Sequence, residues 1–240
     1  MTDFSDYIVF AAEAGSRRLA ETDPELPAFT LALCAVRKDA YHGEICPAYQ
    51  SFKLDYWGHD GLTIRERDLR LSTGPFDFSD DDADLRDRAL HEAPYLMTQA
   101  AFDIYAATVR TEAYREQCAD AEIPDEPVLR LCLEHLHSFL MRKKQSGKTV
   151  HLMFPSRGAQ ADAALDRAFQ GVLAGPTKTL ADFSKIAYAP VFLSPDSNVI
   201  GLQMADLAAR PIALHTAFPD ADNPAYELVR EKVRMNKLLP

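Results

Sequence analysis

The segment from Asn198 to Ile212 constrains the fold most, because it reads as a helix that is apolar around most of its circumference. Ile200, Leu202, Met204, Leu207 and several alanines leave a single polar stripe, formed by Gln203, Asp206 and Arg210 at spacings of three and four. A helix of this kind is buried between other layers. A carboxylate on it needs a partner, since an unpaired buried charge is very costly. Spacing alone allows two readings of Asp206. It forms a local pair with Arg210 one turn on, or it is a ligand-binding or proton-handling carboxylate that faces other acids across a cleft.

The rest of the chain supplies a sheet for that helix to cover. Tyr7–Ala12 and Phe29–Val36 read as two strands joined by a long charged connection, an antiparallel hairpin. Asp39 opens a helix toward Trp57, which Pro47 must interrupt or kink. Leu62–Leu69 reads as a short strand, and Gly74–Asp84 as a turn-rich acidic loop leading into a helix. The Asp80–Asp82 triplet in that loop lacks calcium-loop spacing and is better explained as acids at a helix N-terminus. Phe102–Val109 is a strand. Asp125 starts a helix to about Gln145, with Pro127 in its first turn and an inner face that includes Val128, Cys132, Leu136 and Leu140. His135 and His137 lie on it two residues apart, so they do not share a face and read as surface or core-edge histidines. Thr149–Phe154 is a strand, Ala159–Val172 an amphipathic helix and Ile186–Leu193 the last strand. Asn223-Pro224 opens a terminal helix. Strands alternating with helices predict one α/β domain over 1–240, a mixed central sheet flanked by helices, with a helical extension over 220–240. Trp57, Tyr56 and Phe52 read as core rather than a base-stacking platform.

Composition narrows the function classes. The 240 residues are 47% hydrophobic and 26% charged, an ordinary globular balance. No apolar run reaches the roughly 18 residues of a membrane span, so no membrane partner is expected. The acidic start, Met1–Asp6, has no signal-peptide character. Cys34, Cys46, Cys118 and Cys132 show no paired metal spacing, which suggests buried thiols in a reducing cytoplasm. A net charge of −10 argues against a broad nucleic-acid surface, though not against a local groove. Basic clusters at Arg65–Arg70 and Arg142–Lys144 read as solvated faces or helix ends. Neither a phosphate-binding glycine loop nor a G-x-S-x-G elbow is present. No heptad repeat appears, which leaves a protein partner or a homo-oligomer open.

Four separated pieces carry a resemblance: Ala12-Glu13-Ala14-Gly15 at the end of the first strand; Arg65-Glu66-Arg67-Asp68; Pro155-Ser156-Arg157-Gly158 followed by Ala161-Asp162; and Asp196-Ser197 followed by Gly201-Leu-Gln-Met-Ala-Asp-Leu207 and Ala209-Arg210-Pro211. Together they resemble the bacterial and phage proteins grouped as domain of unknown function 3800. The closing motif is the most specific piece, and the likeness spans about residues 7 to 215. It implies a ribonuclease-H-like fold, in which one carboxylate on the first strand and others at a neighbouring strand end and a late helix hold two divalent cations about 4 Å apart for phosphodiester hydrolysis. Mg²⁺ or Mn²⁺ suits such all-oxygen sites.

On that resemblance Asp206, Glu13, Glu66 and Asp162 are the surviving acids, catalytic or metal-holding, while Gln203, Arg157, Ser197 and Arg65 are candidate binding residues. The chain departs from the pattern as well. Ala12 stands for the first-strand Asp, Ala14 for a Ser, Arg65 for a His and Pro155 for a strand-end Glu. Methyl, guanidinium and pyrrolidine groups do not ligate a hard cation. The resemblance therefore implies a ribonuclease-H-like protein with a degraded acidic site, binding nucleic acid or a partner with weak or no nuclease activity. Two alternatives stand beside it: an active two-metal nuclease, and an assembly or regulatory subunit without nucleic-acid contact. Arg65 is expected to replace the cation by pairing with Glu13 or Asp206.

Overall fold

A computed structural model describes residues 3–21, 23–79, 82–117, 123–175 and 181–239. Six strands form one mixed sheet in the order β5-β4-β1-β2-β3-β6. β1 (Tyr7–Ala14), β2 (Ala28–Arg37) and β3 (Phe102–Arg110) are an antiparallel meander, so the expected hairpin is present. β4 (Thr149–Pro155) runs parallel to β1, and β5 (Ala187–Leu193) parallel to β4. The carboxyl ends of β1, β4 and β5 therefore meet at one end of the sheet, where open α/β sheets place ligand crevices.

Strand alternation sorts the core into two layers. Phe10, Ala12 and Ala14 of β1 pack with α8 (Ile200–Ala217) and α2 (Cys46–Trp57). Tyr7, Val9 and Ala11 pack on the other face with α6 (Asp125–Arg142) and α7 (Ala159–Ala174). α8 is as buried as its sequence requires, with Met204, Ala205, Ala208 and Ala209 fully enclosed, and it runs through Pro211 to Ala217. Gly201 in its first turn lies against the Phe10 ring, where a Cβ would come within 2.2 Å of a ring carbon.

Before α2 the chain makes a short turn, α1 (Lys38–Ala40), and a π-helical turn, Tyr41–Ile45; Pro47 then sits in the first turn of α2, where a missing N–H costs nothing. Trp57 packs edge-on against Phe76 and stacks with Phe78, and its indole N–H donates to the Pro75 carbonyl at 2.8 Å. α4 (Ala83–Glu92) and α5 (Thr111–Gln117) complete that side of the chain order. Cys34 and Cys132 are buried free thiols and Cys46 is partly buried. Asp80, Asp81 and Cys118 lie outside the described residues.

Two elements differ from expectation. The stretch 62–69 is not a strand: Arg65 is extended and Glu66–Leu71 forms a short helix, α3. Glu66 and Asp68 in its first turn and Arg70 in its last complement the helix dipole, and the Glu66–Arg70 pair at 3.0 Å adds an i,i+4 contact. The Ile64 N–H that a strand would have used is taken by the Gln203 side chain. The terminal segment is helical only over α9 (Pro224–Val229); Val233–Leu239 is an edge strand, β6, parallel to β3. Met235 is its buried anchor, and Asn236 ties it down through Thr108 at 3.2 Å and Thr216 at 2.6 Å. No helix among the described residues is long and apolar enough to cross a membrane.

Candidate functional site

A cleft of about 260 Å³ opens at the carboxyl ends of β1 and β4, under the first turns of α8. Ala12, Pro155, Ile64 and Leu202 make its apolar walls; Gln203, Asp206, Ser197 and Arg65 bring polar groups to it. The sequence stripe on α8 is thus split in use. Gln203 is nearly fully buried: its Oε1 accepts from the Ile64 N–H at 2.9 Å, and its Nε2 donates to Asn198 Oδ1 at 3.0 Å. It holds the two loops that form the cleft walls. Asp206, partly exposed, accepts one hydrogen bond at Oδ2, from the Glu66 N–H at 2.7 Å.

The local pair with Arg210 does not form. Arg210 lies one turn further along, with Glu66 at 3.5 Å and Asp23 at 3.8 Å, and its buried Nε lacks a hydrogen bond. Asp206 consequently titrates high. Burial pushes its carboxyl up to about 6; the Glu66 N–H pulls it down, the Glu66 carboxylate pushes it up, Arg65 pulls it down and Asp68 pushes it up.

The remaining expected site acids are drawn elsewhere. Glu13 follows Ala12 on β1, so the two side chains leave opposite faces of the sheet. Ala12 is the one on the Asp206 side. Glu13 edges the cleft, but its carboxylate pairs with Arg157, which also reaches Asp125 at 3.2 Å; Arg17 holds Asp125 at 3.1 Å. Asp162 closes the turn before α7, accepting from Ser156 Oγ at 2.5 Å and the Arg157 N–H at 2.7 Å. It is a helix-start acid. Glu66 is tied to Arg70 and Arg210 and is not on a solvated strand face. Arg65 pairs with Asp196 at the rim, not with Glu13 or Asp206 as expected; Arg157 is the guanidinium that compensates Glu13.

The donor set does not fit two hard cations. Asp206 is the acid facing the cleft from α8, while the β1 and β4 positions beside it carry a methyl and a pyrrolidine. Among the described residues no group of three or more His, Cys, Asp or Glu converges on one point.

One residue was missed altogether. Lys53, on α2, is 1% exposed, and its Nζ donates to Asn198 Oδ1 at 2.6 Å. Burial pulls its ammonium down to about 8, against a smaller upward push from Asp60. Asn198 meanwhile adopts φ 54 and donates from Nδ2 to the Asp60 carbonyl at 2.7 Å, so Lys53, Asn198 and Gln203 form one brace behind the cleft. The sequence signal was faint: Lys53 shares a helix face with Tyr49, Phe52 and Tyr56, all of them buried. Comparison with known protein families, curated proteins and solved structures gave no match.

Proposed function

We propose that this chain is a ribonuclease-H-like protein, of the kind its motifs resemble, whose cleft binds a nucleic-acid strand and cleaves it weakly or not at all. The observation that carries this reading is the exchange of ligands around Asp206. A late-helix carboxylate meets the ends of the first strand and of its parallel neighbour, but those ends present Ala12 and Pro155, and Glu13 is turned away onto Arg157. The position of the cleft supports the fold assignment, and its chemistry supports binding.

Asp206 offers a carboxylate with a free oxygen to hydroxyl or amino donors such as a ribose or a base edge carries. The apolar walls would cover a flat base, and 260 Å³ suits one unstacked unit better than a duplex. Arg65 and Arg157 supply local positive charge on a chain that is acidic as a whole.

The test is polarisation binding of labelled single-stranded and duplex RNA and DNA in EDTA, with a cleavage assay in Mn²⁺ alongside. Single-strand binding is expected, lost in Leu202→Trp, which fills the cleft, and weakened about tenfold in Asp206→Ala by loss of a charge-assisted hydrogen bond. Mn²⁺-dependent cleavage abolished by Asp206→Ala would restore the nuclease reading. No binding to any nucleic acid would overturn the proposal in favour of a protein partner.

A further inference from the structure

A second cavity, about 620 Å³, lies at the opposite end of the sheet, between the start of β1, the start of β3 and the C-terminus of α6. Its walls are aromatic. Tyr7 meets Phe139 edge-on with centroids 5.2 Å apart, Tyr105 lies 5.7 Å from the same ring, and Phe102 adds a further side. Its rim is basic. Arg37 and Arg234 are neutralised by Asp39 and Asp103, but Arg142 and Lys143 make no ion pair among the described residues. Lys143 instead rests its ammonium 5.6 Å above the Phe139 ring. The Tyr105 hydroxyl, on a residue 3% exposed, has no hydrogen-bond partner.

A helix C-terminus attracts cations, which accounts for Arg142 and Lys143 being there. It does not account for aromatic walls, for an unsatisfied buried hydroxyl, or for a cavity within the roughly 300–1,000 Å³ of small-molecule sites. An exposed ion pair needs no pocket.

We infer that this cavity binds a small aromatic anion, a flat ring carrying a phosphate or carboxylate, with the ring against Tyr7 and Phe139 and the anionic group on Arg142 and Lys143. A ring buried beside Phe139 adds offset or edge contacts beyond its area. Two unpaired cations favour the anion without having to release an existing partner. A polar ligand atom at the Tyr105 wall would meet the hydroxyl.

The experiment is equilibrium titration of the full chain with anilinonaphthalene sulfonate, competed by phenyl phosphate, benzoate or inorganic phosphate. One saturable site with micromolar affinity is expected, displaced by phenyl phosphate or benzoate and not by inorganic phosphate at the same concentration. Which of the two aromatic anions displaces better identifies the anionic group. The exposed double variant Arg142→Glu/Lys143→Glu should weaken binding at least tenfold, and Ala101→Trp, which fills the cavity from an exposed position, should abolish it. Asp206→Ala, at the other end of the sheet, should leave it unchanged, so failure here and failure of the nucleic-acid reading are separable. Absence of saturable binding, binding unchanged in both cavity variants, or equal displacement by inorganic phosphate would overturn the inference.

Discussion

Replacing Asp206 by Asn should make the protein more stable at neutral pH and leave it unchanged in acid. The Asn carbonyl still accepts the Glu66 N–H, so geometry is kept and only the charge is removed. Burial raises the Asp206 carboxyl from its ordinary 3.8 to about 6. Such a group binds its proton more tightly in the folded state. Its contribution to stability is therefore full below about pH 3.8 and is lost as pH climbs through about 6. At about 1.4 kcal/mol per unit of pKa, that loss amounts to about 3 kcal/mol by pH 8 as an upper bound. Asp206 keeps part of its surface at the cleft mouth, so about 1–2 kcal/mol is the working expectation. Urea unfolding of both proteins from pH 4 to 8 gives the difference directly. It should be near zero at pH 4 and favour Asp206→Asn increasingly to a plateau above pH 7. A pH-independent difference, or a variant less stable at pH 8, would refute the claim that a strained buried charge sits in this cleft.

Other perturbations test the surrounding elements. Arg157→Ala strips Glu13 of its pair and Asp125 of one of two, and should cost about 2–4 kcal/mol in chemical denaturation, far more than a surface ion pair. Gly201→Ala gains about 1 kcal/mol of helix propensity but drives a methyl into the buried Phe10 ring, so a net loss of about 1–2 kcal/mol is expected; a rise in Tm would mean that the ring can yield. Lys53, held down at about 8, favours the folded state increasingly as pH rises from 8 toward its ordinary 10.5; Lys53→Met should remove that rise in a denaturation series and cost little at pH 7.

Much of the scaffold was legible because period is a strong signal. The alternation in 7–14 and 28–37 and the all-round apolarity of 200–212 each leave one solution, a hairpin and a buried helix. The stretch 62–69 was misread because Leu62, Ile64 and Leu69 allow a strand, whereas capping charges and a side chain from α8 decide for a helix. Val233–Leu239 was hidden because an edge strand needs only Met235 inside, too little for a period to show.

Within the site, Asp206 and Gln203 stood out as polar residues on an apolar helix. Glu13 was grouped with them by proximity in sequence, and the pleat separated it. Arg157 replaced Arg65 as the compensating cation because tertiary placement, not local spacing, sets long-range ion pairs.

The π-helical turn at Tyr41–Ile45 has a consequence for how this chain tolerates change in length. A π turn holds one residue more than the α turn it replaces, and so resets the angular phase of the helix that follows. Removing any one residue from 41–45 would restore a regular helix and rotate α2 by about 100° relative to what precedes it. Tyr49, Phe52 and Lys53 would swing off their burial face together, and Asn198 would lose its ammonium without any substitution near the cleft. The spacing of this helix is thus as specific a part of the cleft as any side chain in it, and substitutions in the turn should be far better tolerated than deletions.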